Sequence, residues 1–166
     1  MKQDQLIATV DRLEGEMRQT FLRDGSIMTI GTVVDAGGVV DVVPDLGGDF
    51  AGALRASCGR YRAAAVWIAA EAWSAFERLP SAGSVNPEEW RGPSPSGRPD
   101  RREVLLSQVE AAGFARTRLW PIVRDGESVR LGEMEEFRPS GGRLSGVLRR
   151  ASSPIWAPPG MTGGGK

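Results

Sequence analysis

Leu6, Val10, Leu13, Met17 and Phe21 recur at spacings of four, three, four and four residues. That period places five apolar side chains on one stripe of a helix, predicted over residues 3–22. A helix that is apolar on one side only must lie against an apolar surface, and the rest of the chain has to supply it. Asp24-Gly25 ends the helical pattern.

The surface comes next. Ile27, Met28, Ile30, Val33 and Val34 are rich in β-branched residues, and Val39 to Val43 repeat that character after Asp35-Ala36-Gly37-Gly38. Two such runs joined by a short glycine-containing turn predict a hairpin with strands over 26–34 and 39–43, closed by Pro44. Asp45 to Asp49 then offer capping carboxylates before Phe50, Ala53, Leu54 and Cys58, a second short helix over 48–58. Residues 62–79 point two ways: their alanines favour helix, whereas Val66-Trp67-Ile68 is a compact apolar core typical of a buried strand. Beyond lie three more β-rich runs, and Asp125-Gly126 between the last two is a strong hairpin signal.

Residues 80–101 separate these halves. Twelve of the 22 positions are Pro, Ser or Gly, a density that predicts a long connecting loop. From Arg138 to Lys166 the chain holds seven Gly and four Pro, which predicts an extended arm. The division expected is therefore one domain over 1–137, containing the 80–101 loop, followed by the arm over 138–166.

What the chain lacks narrows its chemistry. It has no histidine, one cysteine, Cys58, and two lysines, Lys2 and Lys166. Without His there is no imidazole base, no Ser-His or Cys-His nucleophile pair and no His metal ligand. Without an internal Lys there is no P-loop lysine and little scope for Schiff-base chemistry. A single Cys forms neither an intramolecular disulfide nor a Cys-based zinc site. No cofactor or metal is expected, and catalysis is disfavoured.

The formal net charge of zero conceals a separation. Residues 24–54 hold Asp24, Asp35, Asp41, Asp45 and Asp49 with no base, while residues 138–166 hold Arg138, Arg143, Arg149, Arg150 and Lys166 with no acid. Neutrality argues against a general field for nucleic acid. No apolar run approaches the ~20 residues that span a bilayer, and the N-terminus lacks a signal peptide's apolar segment. The expected setting is cytoplasmic, with no membrane contact.

Several side chains are candidates for function. Glu71 sits in an apolar run near Trp67 and Trp73, where burial could raise its pKa and make it a general acid, with Glu103 or Glu110 as a second carboxylate. The competing reading gives Glu71 an arginine partner or solvent. The acidic stretch could suggest Mg²⁺ or Ca²⁺, but no calcium-loop pattern appears, and Asp45 and Asp49 are better read as helix caps. Gly37-Gly38 and Gly47-Gly48 fit no phosphate-loop motif and are read as turn glycines. Trp67 and Trp73 are expected in the core. In and beside the loop, Trp90, Arg98, Arg101 and Arg102 combine the residue types that dominate interface energetics. In the arm, Arg149 and Arg150 precede Ile155 and Trp156, a basic-aromatic segment suited to an acidic partner or to phosphate.

The segments "IAAEAWSAF", "PSGRPDRREVLLSQVE" and "WPIVRDGESVRLGE" resemble a pattern in small uncharacterised bacterial, archaeal and phage-associated proteins. There an apolar run ending in Glu-Ala-Trp precedes a Pro-Ser loop, a P-x-R-x-E step and two more strands. The resemblance covers residues 64–136 and carries no activity. It implies that Val66 to Trp73 is a strand paired with Val104 to Val109.

Together these observations predict an α+β domain with a mostly antiparallel sheet. Its strands are expected at 26–34, 39–43, 64–75, 103–111, 116–124 and 128–137, with both helices packed on one face. The function expected is a non-catalytic interaction or assembly module. Trp90, Arg98, Arg101, Arg102, Arg149, Arg150 and Trp156 would contact protein partners, including further copies of the chain. The alternatives are a carboxylate-based hydrolase using Glu71 and an accessory nucleic-acid binder using Arg149 and Arg150.

Overall fold

The computed structural model describes residues 1–74, 99, 101–126 and 128–137. Helix α1 spans Gln3–Asp24 and buries Leu6, Val10, Met17 and Phe21, with Leu13 partly covered. Gly25 ends it with φ 76°, a left-handed turn that glycine adopts without strain, and donates its N–H to the Phe21 carbonyl. Strands β1 (Ile30–Val34) and β2 (Val39–Pro44) form the first hairpin, α2 covers Phe50–Tyr61, and β3 runs from Ala65 to Ser74. Strands β4 (Arg102–Ala111), β5 (Phe114–Asp125), β6 (Ser128–Leu131) and β7 (Glu135–Phe137) complete an α+β domain.

All pairings are antiparallel, in the order β2-β1-β3-β4-β5-β6, with β7 also on β5. Residues 65–74 form a strand despite their alanines, and Val66 to Trp73 pair with β4 as the resemblance implies. Burial decides the matter: Ala65 to Ala70 are buried at every position, and a fully apolar run of this length suits a strand covered on both faces.

That double covering corrects one expectation. The helices lie on opposite faces of the sheet. Alternate residues Ala65, Trp67 and Ala69 pack with α1, together with Val34, Leu105, Val109 and Trp120. Val66 and Ile68, pointing the other way, pack with Leu54 and Cys58 of α2 and with Val33. Gly31 shows how close α2 comes, since an added Cβ would stand 2.8 Å from a Leu54 methyl.

Three boundaries differ from the sequence reading for local reasons. The first strand begins at Ile30, because the Ile27 N–H is taken by the Glu71 carboxylate at 2.6 Å and no ladder partner is left for it. Helix α2 begins after Asp49, whose Oδ1 accepts the Gly52 N–H at 2.8 Å, and ends at Arg62 with φ 51°. The expected strand over 128–137 is broken into β6 and β7. Pro121 accepts the Gly132 N–H through its carbonyl but has no N–H to return. The pairing accordingly shifts by one residue between Ile122↔Leu131 and Leu119↔Glu135.

The turn readings stand. Asp35 Oδ1 accepts the N–H groups of Gly37 and Gly38, Asp45 Oδ1 accepts that of Gly47, and Gly38 and Gly47 have positive φ. Asp49, but not Asp45, is the helix cap.

Candidate interaction groove

The side chains that fix α1 on the sheet come largely from one strand. Arg116, Arg118, Trp120, Ile122 and Arg124 alternate along β5 and share the face toward α1. On the helix, Asp11 and Glu14 are three residues apart, so they present neighbouring carboxylates. Glu14 is buried and accepts from Ser107 Oγ at 2.6 Å, from Arg116 at 3.2 Å and from Arg118 at 2.6 Å. Asp11 accepts from the same two arginines at 2.8 and 2.9 Å, and the Trp67 indole N–H donates to Ser107 at 2.8 Å. Burial works against the Arg118 charge, yet hydrogen bonds to Glu136 and Glu14 raise its pKa above the usual arginine value. Such a cluster tolerates very little sliding of the helix.

A second clamp holds the helix end. Arg124 donates to the Gly25 carbonyl at 3.0 Å, to Glu103 at 2.9 and 3.0 Å and to Glu71 at 3.2 Å, and lies over the Phe21 ring. Its hydrogen bond holds the Glu103 carboxyl below the ordinary range. A cation at the last carbonyls of a helix also opposes the helix dipole. This is where the structure places Glu71: one oxygen fixes the Ile27 backbone and the other faces Arg124. Glu103 shares that arginine, while Glu110 lies toward the opposite end of β4.

Pinned in this way, α1 packs over β3, β4 and β5 and over the Val34 end of β1. The result is a groove of about 490 Å³ between helix and hairpin. Trp67, Ala69, Ile30 and Thr32 form its floor, Leu13 and Met17 one wall, and Met28 and Val42 the opposite rim. Met28 and Val42 are 54% and 50% exposed, large apolar side chains at the lip of an apolar cleft. Among the described residues two acids, Glu16 and Asp24, line it, and no base does. Their partners are Arg12 and Arg23, in exposed ion pairs that an incoming cation can replace at little cost.

The adjoining sheet edge offers few N–H groups for strand addition. The Asp45 N–H bonds to the Thr29 carbonyl, which sets the ladder phase, so that residues 42 and 44 of β2 turn their backbone groups outward. The outward Val42 N–H is taken by Asp41 Oδ1 at 2.9 Å. Pro44 has no N–H, and Val40 is skipped by the bulge in the register. The other oxygen of Asp41 accepts from Ser57 on α2, which locks this carboxylate in place.

Of the sequence candidates, Arg102 bridges β4 to β7 through a two-pronged contact with Glu135. Arg101 lies 4.6 Å from the centre of the Trp73 ring. Trp73 itself is 46% exposed, a correction to its expected place in the core, because it lies near the end of β3 where Arg101 lies over its ring. Trp67 is core, at 1% exposure. Trp90, Arg98, Arg149, Arg150 and Trp156 fall outside the described residues. Burial pushes the Cys58 thiol up to about 11, which keeps it protonated at neutral pH. Among the described residues no group of three or more carboxylate or thiol side chains could hold a metal ion, and no helix is long and apolar enough to cross a membrane.

The residues that sequence reading missed are the arginines of β5 and the groove itself. Arg116, Arg118 and Arg124 are separated by even numbers along a strand and share a face with Trp120 and Ile122, a signal of charges turned inward. The groove had no comparable signal, because it arises from where α1 sits relative to the hairpin. Comparison with protein-family models, with characterised proteins and with solved structures finds no match for this chain.

Proposed function

We propose that this chain is a non-catalytic protein–protein interaction module that assembles with further copies of itself. The carrying observation is the apolar groove beside α1, with Met28 and Val42 at its rim and, among the described residues, acids but no base in its lining. Apolar surface of this kind, rimmed by polar groups, marks an interaction site more often than a solvated one. The separation of charge along the chain supports association between copies, since a base-only arm in one molecule complements an acid-lined surface in the next. Glu71 supports the non-catalytic reading, because its two oxygens serve the Ile27 backbone and Arg124.

The test is mass in solution. Light scattering on the full chain is expected to show a concentration-dependent oligomer, and deletion of residues 138–166 is expected to leave a monomer. A full chain that remains monomeric into the millimolar range contradicts self-assembly.

A further inference from the structure

The self-assembly reading names no seat for the arm, and the structure offers one. We infer that the groove between α1 and the β1–β2 hairpin receives the arm of a second copy, with Ile155 and Trp156 on its apolar floor and Arg149 and Arg150 at its acidic rim. This inference rests on the interaction-module reading above.

Four observations carry it. First, the groove is long enough in apolar surface for large side chains: its volume of about 490 Å³ falls within the range of specific ligand sites. Second, its charge has one sign. Among the described residues Glu16 and Asp24 line it without a base, and the chain has no base between residues 24 and 54. The arm reverses this sign throughout, with Arg138, Arg143, Arg149, Arg150 and Lys166 and no acid. Third, the scarcity of free N–H groups on the β2 edge favours side-chain insertion over strand pairing, and within the arm the segment 147–156 supplies Val147, Leu148, Ile155 and Trp156 among its arginines. Tryptophan and arginine are the types that anchor interfaces most strongly.

The fourth observation concerns direction. The arm starts after Phe137 of β7, on the outer edge of β5. The groove lies over β1 and β2, at the other edge of the sheet. A donor at one edge and an acceptor at the other make a heterologous, head-to-tail contact, which continues from copy to copy unless the rotation closes a ring.

The experiment uses the full chain and two kinds of variant. Met28→Arg with Val42→Arg places positive charge at two exposed rim positions, where the fold is little affected. Arg149→Glu with Arg150→Glu and Trp156→Ala disables the arm. Sedimentation velocity is expected to show each variant associating at least tenfold more weakly than the parent chain. Mixing the two variants leaves one intact groove facing one intact arm, so a 1:1 dimer that grows no further is expected, weakening as salt is raised.

Three results overturn the inference. If the rim variant associates as tightly as the parent while arm deletion abolishes association, the groove is the wrong seat although the module reading stands. If the mixture yields no dimer while arm deletion shifts the Met17 and Val42 methyl resonances of a monomer, the arm occupies its own groove. If the parent chain does not associate at all, the module reading falls as well.

Discussion

The two helix–sheet contacts of this protein are built from different materials. Beneath α2, Val33, Leu54, Cys58, Ala63, Val66 and Ile68 form an apolar cluster, with Val40, Val43 and Phe50 packed around it. Beneath α1, an apolar core of similar kind is interrupted by Glu14, Arg116, Arg118, Ser107 and the Trp67 indole. Non-directional contacts let a short helix settle wherever packing is best. Directed contacts to buried charges fix a long helix at one lateral position, here over β3 to β5. That fixed position sets one wall of the groove, through Leu13 and Met17.

The largest effect is expected at the clamp. Glu14→Ala leaves Arg116 buried with only Asp11 to face, and a broken buried ion pair costs about 3–5 kcal/mol. Chemical denaturation should show that loss. Replacing the pair together, Glu14→Leu with Arg116→Met, should restore part of it, because apolar residues can match a buried pair while Ser107 and Arg118 still lose their Glu14 acceptor. Failure of the double replacement to recover stability would mean that the charges do more than set the position of α1.

On the opposite face the cost should follow cavity volume instead. Leu54 is fully buried, so Leu54→Ala should lower unfolding free energy by about 2–5 kcal/mol. Gly31→Ala probes the same contact from the sheet side, with its new Cβ 2.8 and 3.0 Å from the Leu54 methyls and 3.2 Å from Phe50. Overpacking of that kind costs about 1–3 kcal/mol. In the Leu54→Ala background the Gly31→Ala cost should shrink, which a double-mutant cycle will read directly.

The smallest effect is a pH dependence confined to α2. Burial raises the Cys58 thiol from 9.0 to about 11. The folded state therefore keeps a proton that the unfolded state releases, so the thiol's contribution is complete below pH ~9 and lost as pH rises toward ~11. Stability measured across that window should fall, and Cys58→Ala should flatten the fall. A thiol reagent that modifies the native chain rapidly at pH 7 would show the contact beneath α2 to be looser than its packing implies.

Much of this comparison was legible in the residues. The stripe from Leu6 to Phe21, the two hairpin turns and the Asp49 cap are local signals, and each element formed near its expected place. The placement of both helices on one face failed for a readable reason. Residues 65–70 are apolar at every position, and a strand of that kind needs covering on both faces, so the run that decided between helix and strand also carried the layer order. The split of β6 from β7 depended on which side of β5 the missing Pro121 N–H faces, a fact of register that no single segment contains. The groove was least legible of all. Its lining comes from α1, β1, β2, β3 and the turn at 26–28, and only the lateral position of α1 brings these together.

Methyl nuclear magnetic resonance of the full chain, followed as concentration is raised, tests the interaction surface most directly. The account predicts that Leu13, Met17, Met28 and Val42 shift together and saturate, while Leu54 and Val66 on the α2 face stay in place. Shifts confined to the α2 face, or none in the groove while the mass of the particle grows, would contradict it.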